Sequence, residues 1–168
     1  MTNNIRRAAF AAVLSYAAAT PAFAQTAQGN LSVSATVSKN CVVSASPMNF
    51  GSVDVTNGQS VDGTAELSIR CTSGTDWTAT ADAGLGSGAT TATRLMQNGG
   101  SDVLGYTLYT DSARTNIWDD GEGEAANAIA GVGSGSGQLA TIYGRVFSGQ
   151  SGLPSGNYAD TVQVTVTY

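Results

Sequence analysis

Two segments of this chain alternate apolar and polar residues without a break, and a β-strand with one dry face is the regular structure that such a period suits. In "SGNYADTVQVTVTY", Val162, Val164, Val166 and Tyr168 alternate with Thr161, Gln163, Thr165 and Thr167. In "QGNLSVSATVSKN", Leu31, Val33, Ala35 and Val37 alternate with Ser32, Ser34, Thr36 and Ser38. The first strand has no turn before it, and the last has no turn, proline or charge to blunt its edge. Unpaired N–H and C=O groups on such an edge recruit other chains. Both strands are therefore expected to lack a neighbour within their own molecule.

Between them the pattern is of short strands broken by Gly, Asn, Asp and Ser. "CVVSAS" is one, and "TAELSIRC" puts Ala65, Leu67, Ile69 and Cys71 on one face. "DWTATADAG" aligns Trp77, Ala79 and Ala81, and "DVLGYTLYT" sets Leu104, Tyr106 and Leu108 against Val103 and Tyr109. "LATIYGRVF" and the closing segment complete about seven strands. No helical period appears outside the N-terminus. The spacing favours an all-β, immunoglobulin-like sandwich over a closed barrel. "AGLGSGATT" and "GVGSGSGQ" read as Gly/Ser connections, since neither stands between a strand and a helix as a phosphate loop would.

The opening "MTNNIRRAAFAAVLSYAAATPAFAQ" reads as a secretory signal. Arg6 and Arg7 form its basic end, residues 8–19 its apolar stretch, and Ala22-Phe23-Ala24 a small-x-small cleavage site. The apolar run falls well short of the roughly 20 residues that span a bilayer, so no membrane insertion is expected. The expected organisation is a signal peptide over residues 1–24, an N-terminal strand over 25–40 and a domain over 41–168. Without Arg6 and Arg7 the charge is 5 basic minus 12 acidic groups, or −7. A nucleic-acid surface needs clustered Lys and Arg, so that class is excluded. In an exported chain, Cys41 and Cys71 read as a structural disulfide. They enclose 71 − 41 − 1 = 29 residues. Loop closure on that scale stabilises a fold by roughly 3–4 kcal/mol.

Chemistry has little to work with. There is no histidine, which removes Ser-His-Asp, Cys-His and His-metal constellations. No GxSxG elbow occurs. "DDGEGE" crowds Asp119, Asp120, Glu122 and Glu124, but it lacks EF-hand spacing, and sequence neighbours in a loop rarely form a glycosidase pair. A solvated acidic loop is the simpler reading. Trp77, Tyr106, Tyr109, Trp118 and Tyr143 could line a carbohydrate site, but core packing suits most of them, and Trp118 beside the acidic loop is the one left open. No catalytic, metal or cofactor site is expected, and an enzyme is the class least favoured.

The two unpartnered strands answer each other. One molecule's N-terminal strand laid against another's terminal edge satisfies both, through main-chain bonds and side chains in alternate pockets. Donor and acceptor are different patches, so the contact is head-to-tail and builds an open fibre. The fold expected is thus an incomplete sandwich lacking its last strand, completed by donor-strand exchange.

"MNFGSVDV", "IRCTSG", "RLMQ", "YTLYTDSARTNIWDDGEG", "YGRV" and "SGNYADTVQVTVTY" together resemble the spore coat protein U family, the subunits of archaic chaperone-usher pili. The resemblance spans nearly the whole chain after the signal. It implies an incomplete immunoglobulin-like fold held in the periplasm by a dedicated chaperone. An outer-membrane usher then exchanges the chaperone's strand for that of an incoming subunit. The product is a cell-surface fibre of like subunits serving adhesion and biofilm formation. Carried onto this sequence, Leu31, Val33, Ala35 and Val37 are the donor residues and Cys41–Cys71 the bridge. Val162, Val164, Val166 and Tyr168 form the inward face of the strand beside the acceptor groove. The competing expectations are a secreted monomeric coat or matrix protein, whose N-terminal strand folds back, and a carbohydrate-binding adhesin module. Only Lys39 and Asn40 separate donor from Cys41, which disfavours folding back.

Overall fold

The computed structural model describes residues 23–121 and 127–168. The expected signal lies outside them except for Phe23 and Ala24, as do Glu122 and Glu124 of the acidic loop. The chain divides into Met1–Ala35 and Thr36–Tyr168. Of the first unit, residues 23–35 carry no helix or strand and their side chains are exposed.

The second unit holds eight strands among the described residues, β1 (Cys41–Ala45), β2 (Val61–Cys71), β3 (Asp76–Ala81), β4 (Arg94–Gln97), β5 (Val103–Tyr109), β6 (Ile129–Val132), β7 (Gln138–Val146) and β8 (Val164–Thr167). They form a five-stranded sheet ordered β1-β2-β7-β5-β4 and a three-stranded sheet ordered β6-β3-β8. Every ladder is antiparallel. Alternation decides which side of each strand is dry. Leu67, Ile69 and Cys71 of β2 meet Trp77, Ala79 and Ala81 of β3 in one core, with Leu104, Tyr106 and Leu108 of β5 and Ile142 and Val146 of β7. The fold is an immunoglobulin-like sandwich with two antiparallel sheets.

Cys41 and Cys71 stand directly opposite in the β1–β2 ladder and are bonded to each other. On the inner face of the larger sheet, Gly63 of β2 pairs with Gly144 of β7. A side chain at Gly144 would run into Met48 and Phe50, so the absence of Cβ is what lets the 46–56 segment lie over that sheet. Phe50 then packs edge-on to Tyr106 with centroids 6.0 Å apart.

Three expectations need adjusting. β4 and β6 add to the strands read from the sequence, each only four residues long. The segment over residues 31–38, read as a strand, has no ladder, because nothing pairs with it. The closing strand is shorter than its alternation, since residues 158–163 first cross between sheets. Ala159 bridges to Gln97 at the β4 edge, and Gln163 then bonds to Asp82 at the end of β3.

Candidate functional site

Five strands facing three leave part of the larger sheet without a strand above it. β8 pairs with β3 on one side, and its other side has no ladder among the described residues. Beside that free edge runs a cleft of about 410 Å³. Its floor is the inner face of the larger sheet, with Leu67, Met96, Leu108 and Ile142. One wall is residues 158–162 with Val164, and the other is the chain leaving β1, from Ala45 through Met48 to Phe50. A second cleft of about 720 Å³ shares Met48, Phe50, Met96 and Tyr158 with the first and continues it to Val53, Val55, Leu104 and Leu153. Together they make one trough, apolar in its floor beside β8 and mixed in polarity along residues 49–56 and 153–158.

The trough is narrow at its core end. Leu67 is fully buried and Leu108 is 6% exposed, so the walls close over the floor. Residues 46–56 lie in no ladder, with Ser46 bonded to Glu66 of β2, and residues 158–163 are held by the Ala159 bridge, the bond from Tyr106 to Asp160 and the Asp82 contacts of Gln163.

Of the residues expected to face the trough, Val162 and Val164 line it, while Val166 is half-buried and packs on the core. Tyr168 differs from the expectation. It lies past the end of the ladder and is 53% exposed, its hydroxyl 3.4 Å from Asn40 Oδ1. The ladder to β3 stops at the Thr78–Thr167 pair, one residue short of Tyr168. Of the expected donor residues, Leu31, Val33 and Val37 are each more than 80% exposed, and Ala35 is exposed as well. Three large aliphatic groups in water within seven residues form a segment with unmet burial: covering each would contribute about 1.5–3 kcal/mol.

Where the two sheets do close, Arg94 closes them. This residue occupies an inward position of β4 and is fully buried. Its guanidinium donates to four main-chain carbonyls, from Nε to Asp82 at 2.8 Å, from Nη1 to Thr91 at 2.7 Å and from Nη2 to Ala81 at 3.1 Å and Trp118 at 2.8 Å. Burial lowers its pKa from 12.5, opposed by Tyr106 and by the carboxylates of Asp82, Asp160 and Asp119. It remains a cation, since an arginine has room to fall far before neutral pH. Sequence reading missed this role. The available signal was an arginine in step with Met96 inside "RLMQ", where alternation demands an apolar group.

Tyr106 joins this closed region to the trough. Its hydroxyl donates to Asp160 Oδ2 at 2.7 Å, and burial foremost, then that bond, pushes its pKa far above 10. Asp160 Oδ1 accepts from the amides of Leu85 at 2.9 Å and Thr161 at 2.8 Å. Gly84, with φ of +81°, leaves the space that the Asp160 carboxylate fills.

The acidic loop has a structural use in its described part. Asp119 accepts from the amides of Gly121 and Asn127, each at 3.0 Å, and so ties its own loop. Among the described residues no three His, Cys, Asp or Glu side chains gather as metal ligands. Trp118 is 2% exposed and donates from its indole to the Ala79 carbonyl at 3.0 Å, which makes it core and removes it as a sugar platform.

Comparison with known proteins places this geometry. A solved structure of the CsuC–CsuE chaperone–tip adhesion subunit pre-assembly complex, from archaic chaperone-usher Csu pili of Acinetobacter baumannii, matches the fold with a TM-score of 0.59 and 21% identity. The match covers 79% of this chain and 40% of that one, so this chain spans less than half the length of the matched chain. "Protein U" of Myxococcus xanthus is 37% identical over 175 residues, covering 96% of each sequence. The model of the Spore Coat Protein U domain matches residues 27–165, and on that span the chain belongs to the Spore Coat Protein U domain family.

Proposed function

We propose that this protein is a structural subunit of a chaperone-usher pilus, polymerising by donation of residues 25–40 to the trough of a neighbour. The observation that carries the reading is the trough itself: an apolar floor beside a strand edge without a ladder. An exposed apolar segment of matching period stands in the same chain. A strand laid there bonds to the free edge of β8, and its alternate side chains reach toward Leu67, Leu108 and Ile142. Leu31, Val33, Ala35 and Val37 are the donor residues, and Val162, Val164 and Val166 belong to the receiving wall. Family membership and the likeness to a chaperone-bound pilus subunit support the same reading.

The partners follow from the chemistry. Before assembly the trough needs a temporary strand, which a periplasmic chaperone supplies, and an outer-membrane usher exchanges it for the next subunit's donor. The fibre is exported to the cell surface, where it serves adhesion and biofilm formation. The role is structural and not catalytic.

The test is size-exclusion chromatography with light scattering on the exported protein, with and without its chaperone. Beside it runs a variant carrying a short turn and a second copy of residues 27–38 after Tyr168. A polymeric or chaperone-dependent native chain and a monomeric self-complemented variant are expected. A native chain that is already a stable monomer, unchanged by the added strand, would replace this reading with that of a monomeric coat protein. The full-length likeness to Protein U is the observation that keeps that second reading in view.

A further inference from the structure

A donor that can reach its own trough would end the fibre before it begins. The root of the N-terminal segment carries a device against this. Asn40 precedes β1 and Thr72 follows β2, so the two stand side by side one residue beyond the Cys41–Cys71 pair. Thr72 takes both main-chain groups of Asn40. Its amide donates to the Asn40 carbonyl at 2.9 Å, and its hydroxyl oxygen accepts from the Asn40 amide at 3.1 Å. The same hydroxyl stands 3.3 Å from both the Ser38 and the Asn40 carbonyls, either of which can accept its one proton. From the other side, the Tyr168 hydroxyl meets Asn40 Oδ1 at 3.4 Å.

These contacts extend the line of β1 backward through residues 38–40. Doubling back would need a tight reversal over Lys39 and Asn40, and a two-residue turn requires the main-chain groups at its ends and a left-handed backbone in its middle. Thr72 holds the Asn40 groups in the extended alternative. The choice rests on a side chain, because an apolar residue at 72 could still make the one amide-to-carbonyl bond but neither of the other two.

We propose that Thr72 is a positioning residue that keeps strand donation between molecules, by fixing residues 38–40 in line with β1 and away from their own trough. The inference rests on the donor-strand reading above.

The experiment uses the full exported chain with its chaperone and compares the wild type, Thr72→Val, Thr72→Ser and a chain lacking residues 25–38. Light scattering gives the monomer fraction after chaperone release, and limited proteolysis reports whether residues 25–38 are covered in that monomer. Thr72→Val is expected to raise the monomer fraction at least tenfold, with its N-terminal segment protected. Thr72→Ser keeps the hydroxyl and should assemble like the wild type. Should Thr72→Val fail to fold, Thr72→Ala removes the same hydroxyl with less bulk and leaves the backbone of residues 38–40 free to turn, and the same rise is expected. Polymer yields equal to wild type in the folded Thr72→Val or Thr72→Ala chain overturn the proposal, while loss of polymer on deleting residues 25–38 would leave strand donation standing. If the deleted chain polymerises unchanged, strand donation falls and the positioning role falls with it.

Discussion

The region around Arg94 and the trough beside β8 are neighbouring parts of one core built on opposite rules. Around Arg94 four main-chain carbonyls take donors from one side chain. Beside β8, among the described residues, a strand edge has no ladder and an apolar floor has no facing strand. The first region is complete within the chain. The second has the shape and chemistry of a place for one more strand. Burying a cation is costly unless its hydrogen bonds are met, so the chain places its most expensive group where its partners are complete, and floors the trough with apolar side chains.

The contrast breaks most readily at Arg94. Arg94→Met keeps the volume roughly but strips donors from buried carbonyls, and a loss of about 3–5 kcal/mol in urea unfolding is expected. A loss below about 1 kcal/mol would mean that packing alone closes this region. Gly84→Ala comes next. It forces a Cβ into the Asp160 carboxylate at a backbone angle that disfavours side chains, for a cost of about 1–3 kcal/mol. Because Asp160 stands on the trough wall, the same change should loosen that wall, read as faster proteolysis of residues 153–163.

Alkali tests the link between the regions. The folded pKa of Tyr106 lies above its unfolded value of 10, so its contribution is fully present below pH 10 and is lost as pH rises above it. The slope reaches about 1.4 kcal/mol per pH unit. Tyr106→Phe should flatten that slope, and an unchanged slope would assign the alkaline loss to another group.

The smallest effect belongs to the outer surface, as a control. Asp62 accepts two bonds from Arg145, at 2.7 and 2.9 Å, and lies 3.3 Å from Arg114. The Arg145 bond lowers its pKa below 3.8, so its contribution is present above that value and fades as pH falls through the folded one. The pair is largely exposed, and Asp62→Ala should cost no more than about 1 kcal/mol at pH 7. A larger loss would show that the ion pair, and not only the core, carries the sandwich.

The strands that read clearly in the sequence are those whose inward positions are all apolar, as in Leu67, Ile69 and Cys71 or Trp77, Ala79 and Ala81. β4 escaped because Arg94 fills an inward position with the least apolar of side chains. β6 escaped because "IAGV" is too short to show a period and contains Gly131, whose missing side chain makes room for the Trp77 ring. The apolar faces of the candidate donor and wall were legible from alternation. The trough was not, since its far wall is the irregular 46–56 segment, seated by a glycine pair more than ninety residues downstream in part. Tyr168 shows the limit of the method: periodicity marks which side a residue takes, and burial depends on whether a neighbour is there to cover it.

The Cys41–Cys71 bond also decides how this domain bears a load. Tension applied to the N-terminal segment enters the domain at Cys41, the first residue of β1. The bond passes that tension directly into β2, an interior strand with a ladder on each side. β1 therefore cannot be peeled from its pulled end one hydrogen bond at a time. Under traction β1 and β2 are engaged together, and the ladders of β2 on both sides share the pull.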